Sequence, residues 1–194
     1  MLFIFDMGGV VASHTNVIPS IAEHLEISEK QFFKLAGQNW INLLCGKINS
    51  PQFWKQFSKK IKQNIKTDLF KKYFHPTINQ VVTSIISELR KNYRVVCGTN
   101  TFQVHYQSHL ERGDYWYFDN IYASHLLGIA KPDPQFYQYI IDKEKATVDR
   151  TIFIDDTLEN VIAAQRMGIK AILFVDNYSL KNELLKYTHI NNHE

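Results

Sequence analysis

Short runs rich in β-branched and aromatic residues recur along the chain: Leu2–Phe5, Tyr93–Cys97, Asn120–Ala123, Thr151–Ile154 and Lys170–Val175. Several are apolar at consecutive rather than alternate positions, which suits strands covered on both faces, as in a parallel sheet. Helical spacing separates them. Thr77-Ile-Asn-Gln80 reads as a capping box that opens a helix running to about Lys91. Asp133–Lys143, Thr157–Met167 and Ser179–Tyr187 carry the same period, and Gly168 stands where a helix C-cap belongs. Strands alternating with helices predict an α/β fold around a parallel sheet.

One stretch breaks the alternation. From about Ser13 to His75 the pattern is helical, with no convincing strand. Ser28-Glu-Lys-Gln31 is a second capping box, and Ser50-Pro51 reads as an N-cap followed by proline at the first helical position. The expected organisation is a core of residues 1–12 and 76–194, with a helical cap inserted over 13–75. Phe32, Phe33, Leu35, Trp40, Leu43, Leu44, Phe53, Trp54 and Phe57 are expected to be mostly the cap's own core rather than a ligand box.

Composition narrows the class. The chain has 194 residues, 45% hydrophobic and 21% charged, which excludes disordered, collagenous and low-complexity classes. A chain of this length buries a core without staples. Its two cysteines, Cys45 and Cys97, form no disulfide framework, so a reducing, cytoplasmic setting is expected. The apolar stretch Met1–Ala12 is broken by Asp6 and Gly8-Gly9 and has no preceding Lys or Arg. It reads as a first core strand, neither a secretory signal nor a membrane span. The net charge is +3, yet the window from Lys47 to Lys72 holds eight lysines against Asp68 alone and is +7, leaving −4 elsewhere. A solvated helix face is the favoured reading; attraction of an anionic substrate is sharper, and nucleic acid is not an expected partner.

The chemistry lies at the strand ends, where open parallel sheets bind ligands. Asp6, then Met7-Gly8-Gly9, follows the first run; Thr99 and Asn100 follow the second; Lys131 stands in Gly128-Ile-Ala-Lys-Pro-Asp133; Asp155 and Asp156 follow the fourth. Three carboxylates on one edge repel one another unless a cation sits between them. An all-oxygen ligand set suits magnesium. A carboxylate kept ionised there can attack phosphorus, giving an acyl phosphate, while Thr99, Lys131 and backbone N–H groups hold the phosphoryl oxygens. Gly8 and Gly9 would let the backbone approach metal and phosphate closely.

At this point the chain resembles the haloacid dehalogenase-like (HAD) hydrolase superfamily over nearly its whole length. The motifs are FIFDMGGV, VVCGTN, GIAKPDP and TIFIDDTLENV, with 93 residues from Asp6 to Thr99, 32 more to Lys131 and 25 more to Asp156. The resemblance implies a Rossmann-like core with a helical cap after the first motif. It implies that Asp6 is the nucleophile, with Thr99 and Lys131 binding phosphate. It makes Asp6, the Gly8 carbonyl, Asp155 and Asp156 the magnesium set, with Asp155 as ligand or as support. Asn100 would donate to the substrate and Asn160 would orient the metal carboxylates; for both, plain turn or cap bonding stands as an equal alternative.

Most phosphatases of that family carry a second Asp two residues after the nucleophile, as a proton donor. Here that position is Gly8. The variant is similar to a branch that includes sugar-phosphate phosphatases, which makes sugar phosphates the first expectation among small phosphorylated metabolites. The missing acid implies a good leaving group, a substitute such as His14 or a cap residue, or a slow or silent protein. Relatives that dehalogenate 2-haloacids also lack the acid, but the Asp155-Asp156 pair argues against that chemistry. A silent binding or regulatory module is the non-enzyme alternative. His14, His105, His109 and His125 show no metal-ligand spacing and no carboxylate partner, and Tyr115–Phe118 reads as packing.

Overall fold

A computed structural model describes residues 1–188. The chain begins with β1 (Leu2–Phe5) and β2 (Ala12–Ser13), followed by the helices α1 (Ile18–His24), α2 (Glu29–Ala36), α3 (Gln38–Leu44), α4 (Ser50–Ile61) and α5 (Leu69–Tyr73). It continues through β3 (Thr77–Ile78), α6 (Gln80–Leu89), β4 (Arg94–Thr99), α7 (Gln103–Glu111), β5 (Asn120–Ala123) and α8 (Ser124–Leu127). Next come α9 (Pro134–Lys143), β6 (Thr151–Asp155), α10 (Leu158–Arg166), β7 (Lys170–Leu173) and α11 (Asn177–Leu185).

The main sheet has the order β5-β4-β1-β6-β7, and every neighbouring pair is parallel. The path runs outward from β1 through β4 to β5, then returns to the other side of β1 at β6. The strand order therefore reverses between β1 and β6, and a crevice opens at their carboxyl ends. Asp6 and the Asp155-Asp156 pair follow those two strands.

The consecutive apolar residues of β1 divide between the two faces. Phe3 and Phe5 pack with Val82, Ile86, Leu180 and Leu184 beneath α6 and α11. Leu2 and Ile4 pack with Phe136, Ile140, Phe153 and Ala164 beneath α9 and α10. Two covered faces explain why no polar alternation marks these strands. The continuation of α10 is stopped at Gly168, whose φ of 86° is costly for a side-chain-bearing residue.

Helices α1 to α5 build a second core, into which Phe102 inserts from the loop after β4. Phe53 lies 5.6 Å from Phe57 and 5.1 Å from Phe70, ring centre to ring centre, and Phe32 lies 5.0 Å from Phe57. Asp68 ties this core together: it accepts from Ser50 Oγ at 2.6 Å and Trp54 Nε1 at 3.1 Å, and it caps α5 through the Phe70 amide. The one acid of the basic window is thus occupied inside the cap.

Local signals shift at two helix starts. The Ser28–Gln31 box forms as expected, with both reciprocal bonds. At α4 the cap is Asn49, which exchanges bonds with Gln52 and moves Ser50 and Pro51 into the first turn. The amide side chain reaches the free N–H that Ser50 was expected to serve. Thr77 does not cap α6; Asn79 does, through the Val82 amide. Thr77 and Ile78 instead pair antiparallel with Ser13 and Ala12. This two-stranded ribbon, invisible as a strand pattern, is where the chain leaves for the cap and returns.

Candidate active site

Four loops at the carboxyl ends of the strands converge. Lys131 Nζ lies 2.9 Å from Asp6 Oδ1 and 2.6 Å from Asp155 Oδ2, and donates to the Gly98 carbonyl at 2.8 Å. Its backbone is fixed from the loop after β4. Asn100 Oδ1 accepts from the Lys131 amide at 2.8 Å, and Asn100 Nδ2 donates to the Lys131 carbonyl at 2.8 Å. Asn100, expected beside a substrate, lines the cavity and also holds Lys131. Asn160 Nδ2 donates to both oxygens of Asp155 at 3.1 Å, and the Thr157 amide donates to Asp155 Oδ1 at 2.8 Å. Asp155 is therefore anchored on all sides, while Asp156 faces the opening.

Thr99, buried at the end of β4, and the two glycines complete the edge. Gly9 has φ 78°, and a Cβ on it would lie 1.9 Å from Asp156 Oδ2, so no side chain fits there. Gly8 has ordinary backbone geometry, but a Cβ there would stand 2.9 Å from Thr15 Oγ1. A loop residue thus occupies the space into which a side chain at Gly8 would grow.

Charge at this edge is unbalanced. The carboxyl of Asp6 is pushed up to about 7 by burial, with Asp155 and Asp156 adding to the rise against the pull of Lys131. Burial opposes the charge on Lys131, yet Asp6 and Asp155 together hold its pKa above the ordinary lysine value. Burial and Asp155 also raise Asp156. One ammonium is shared by more carboxylates than it can neutralise. Oxygens of Asp6, Asp155 and Asp156 lie within 4.8 Å of one another, and the Lys131 ammonium beside Asp6 Oδ1 is shared with Asp155. An all-carboxylate set with one ammonium between its members fits a hard divalent cation.

The edge opens into a cavity of about 720 Å³ that also reaches the cap. Phe33, Trp40 and Leu44, expected inside the cap core, line it together with Ile41. Adjacent aromatic positions on α2 diverge: Phe32 is fully buried, whereas Phe33 is 43% exposed. The remaining cap aromatics, Phe53, Trp54 and Phe57, pack inside as expected.

The histidines divide as well. His14 lines the cavity on the loop that carries Thr15. His105 stacks on Phe74 with ring centres 3.7 Å apart, and burial drives its pKa down to about 3. His109 does have a carboxylate partner: its Nδ1 lies 2.8 Å from Asp114 Oδ2, while burial still lowers its pKa. The sequence hid this pair because Asp114 follows the end of α7, beyond the turn at Gly113. Tyr115 and Phe118 are buried as packing residues, but Trp116 is 85% exposed.

Residues 1–168 match the family model described as haloacid dehalogenase-like hydrolase. The chain belongs to that family. The HAD-like assignment makes it a hydrolase with an α/β core. It is 29% identical over 189 residues to the sesquiterpene phosphatase astK of Aspergillus oryzae, covering 93% of each chain. It is 25% identical over 135 residues to a D-ribitol-5-phosphate phosphatase of Bacteroides thetaiotaomicron, covering 64% of this chain and 66% of that one. Its fold matches a HAD family enzyme from Bacteroides thetaiotaomicron solved with magnesium and inorganic phosphate. The TM-score is 0.71 at 21% identity, over 89% of this chain and 92% of the other. Among the described residues, no helix is long and apolar enough to cross a membrane.

Proposed function

We propose that this HAD-like hydrolase is a magnesium-dependent phosphatase of a small phosphorylated metabolite, acting through a phosphorylated Asp6. The observation that carries the reading is the meeting of Asp6, Lys131, Asp155 and Asp156 at the strand-order reversal. Phosphatase relatives support it.

Asp6, Asp156 and the Gly8 carbonyl are the groups that would hold magnesium, with Asp155 behind them. When bound, the cation supplies charge neutralisation for the carboxylates and the phosphoryl oxygens. An oxygen of Asp6 forms a bond to phosphorus as the bond from phosphorus to the ester oxygen breaks; that oxygen keeps the electron pair and takes up a proton to leave as the alcohol. Lys131 and the Thr99 hydroxyl hold the phosphoryl oxygens, and Asn100 keeps Lys131 at its post. Water then attacks phosphorus, releasing inorganic phosphate and restoring Asp6. Gly8 offers no proton to the leaving oxygen; His14, on the adjacent loop, is the titratable group placed to do so. The first motif alone suggests sugar phosphates, and the ribitol-phosphate relative is of a similar class; the cap side of the cavity, lined by Phe33, Trp40 and Ile41, favours a less polar alcohol. The free Cys45 and Cys97 suit a reducing, cytoplasmic compartment.

The test is hydrolysis of acetyl phosphate and para-nitrophenyl phosphate with magnesium and with excess EDTA. Turnover should require the metal, Asp156→Ala should raise the magnesium requirement, and Asp6→Asn should lose at least about 10⁴-fold in kcat. Full activity in EDTA would remove the metal from the reading and return the dehalogenase chemistry to consideration. Near-normal turnover by Asp6→Asn would remove the nucleophile.

A further inference from the structure

We infer that the substrate is the phosphate monoester of an apolar alcohol, an alkyl or isoprenoid chain seated against the cap, rather than a polyol phosphate. The inference rests on the phosphatase reading of the strand-end site and adds the chemical class of the group that leaves it.

The wall opposite the carboxylates carries the argument. Phe33 and Ile41 are 43% and 46% exposed, and both line the cavity. Neither position is needed for the cap's own packing, which Phe32 and Leu43 serve from the same two helices. Trp40 stands edge-on to Phe33 at 5.6 Å and to Phe102 at 6.1 Å. Phe102 follows Thr99, Asn100 and Thr101 directly, so an aromatic strip runs unbroken from the cap to the loop that ends β4. Large apolar side chains left in water inside a concavity mark a ligand surface. Their continuity with the phosphate edge names the occupant: the part of the ester beyond its oxygen.

Other groups along this wall add no charge. Phe74 and His105 lie flat on one another, and burial keeps both His105 and His109 towards their uncharged forms. Lys131 is the lysine that lines the cavity, and it is engaged by Asp6 and Asp155. The polar lining that remains is concentrated in the loop Ser13–Asn16 beside Gly8 and around the acid pair. A polyol would have to give up its hydration along an aromatic strip that returns few hydrogen bonds, and that loss is unfavourable. An alkyl chain loses nothing there and gains burial.

The experiment is a homologous series of n-alkyl phosphates from butyl to octyl, beside ribitol 5-phosphate and acetyl phosphate, all with magnesium. Each methylene placed on the wall should raise kcat/KM by roughly three- to fourfold. Octyl phosphate should exceed ribitol 5-phosphate by about 100-fold or more. Ile41→Glu and Phe33→Asp should each cut the octyl-to-acetyl phosphate ratio about tenfold. A flat series, or a preference for ribitol 5-phosphate, would overturn the inference while turnover of acetyl phosphate kept the phosphatase reading intact. Failure to hydrolyse any of these compounds, acetyl phosphate included, would instead sink the phosphatase reading. Calorimetric titration with n-alkylphosphonates then decides the wall by itself. Affinity climbing with chain length, and weakened by Ile41→Glu, supports it; affinity indifferent to length, or no binding at all, overturns it.

Discussion

At the carboxyl ends of β1, β4 and β6, polar side chains have named partners at fixed distances. Lys131 alone joins Asp6, Asp155 and the Gly98 carbonyl within 2.6–2.9 Å. Across the same cavity the side chains of Phe33, Trp40 and Ile41 make no hydrogen bond among the described residues; Phe33 and Trp40 face one another and other rings, and Phe33 and Ile41 face solvent. Chemistry needs direction, because proton and phosphoryl positions are set by hydrogen bonds and charge. Recognition of an apolar group needs area alone. The edge should therefore fail when any member changes, and the wall should respond in proportion to what is removed.

The largest break is expected at Lys131. Lys131→Ala leaves Asp6 and Asp155 buried together without their shared cation, a change that costs about 3–5 kcal/mol in comparable pairs. Urea denaturation should show that loss, and magnesium should recover part of it by binding the folded state alone. A variant as stable as the parent without metal would mean that the carboxylates are already relieved by protonation.

Next comes a comparison inside the cap. Phe53→Ala empties a fully buried ring site and should cost about 3–5 kcal/mol. Phe33→Ala, one helix away and half in solvent, should change stability by about 0.5 kcal/mol or less. Similar losses at both positions would show that Phe33 belongs to the cap core after all.

The strand-end residues were legible because two rules sufficed: continuous apolar runs mark two-faced strands, and ligands gather where such strands end. Asp6, Thr99, Lys131 and Asp156 follow from those rules, and the first four motifs add the family. The wall was not legible. Phe32 and Phe33 are neighbours of the same type, and only the rotation of α2 against α4 decides which one faces inward. The Thr77 and Ser50 caps misled for a related reason: several capping residues stand together, and the ribbon pairing of Thr77 is a long-range contact. Asn100 was found as a site residue but not as the clamp on Lys131, which lies in a separate loop.

A smaller effect separates the neutral aromatic wall from the charged edge. His105 is held near 3 in the folded chain against about 6.5 unfolded. Between those values the unfolded chain binds a proton that the folded chain refuses, so stability falls as pH drops from about 6.5 towards 3 and is highest above 6.5. The slope from this group is at most about 1.4 kcal/mol per pH unit. His105→Gln should flatten the acid limb of a denaturation series by that amount; identical slopes would assign the proton uptake elsewhere.

The smallest effect belongs to the lysines of α4 and its flanks, none of which lines the cavity. They can act on an anionic ester only through their field, which salt screens. Neutralising Lys55, Lys59 and Lys62 together should lower kcat/KM by a few-fold at low ionic strength and leave it unchanged at high. A salt profile indifferent to the substitutions would leave the window a solvated face.

The ribbon of Ala12–Ser13 against Thr77–Ile78 has a consequence for how such a protein can diversify. The chain departs and returns through two adjacent strands, so the insertion has one covalent seam, while it also rests on the core where Ser124 Oγ donates to the Leu44 carbonyl and His105 stacks on Phe74. The carboxylates, Thr99 and Lys131 all lie on the other side of that seam. A lineage that keeps the His14 loop can therefore revise or lengthen the helices beyond it and acquire a new diet while inheriting its reaction, and a laboratory graft that spares the same loop should do likewise.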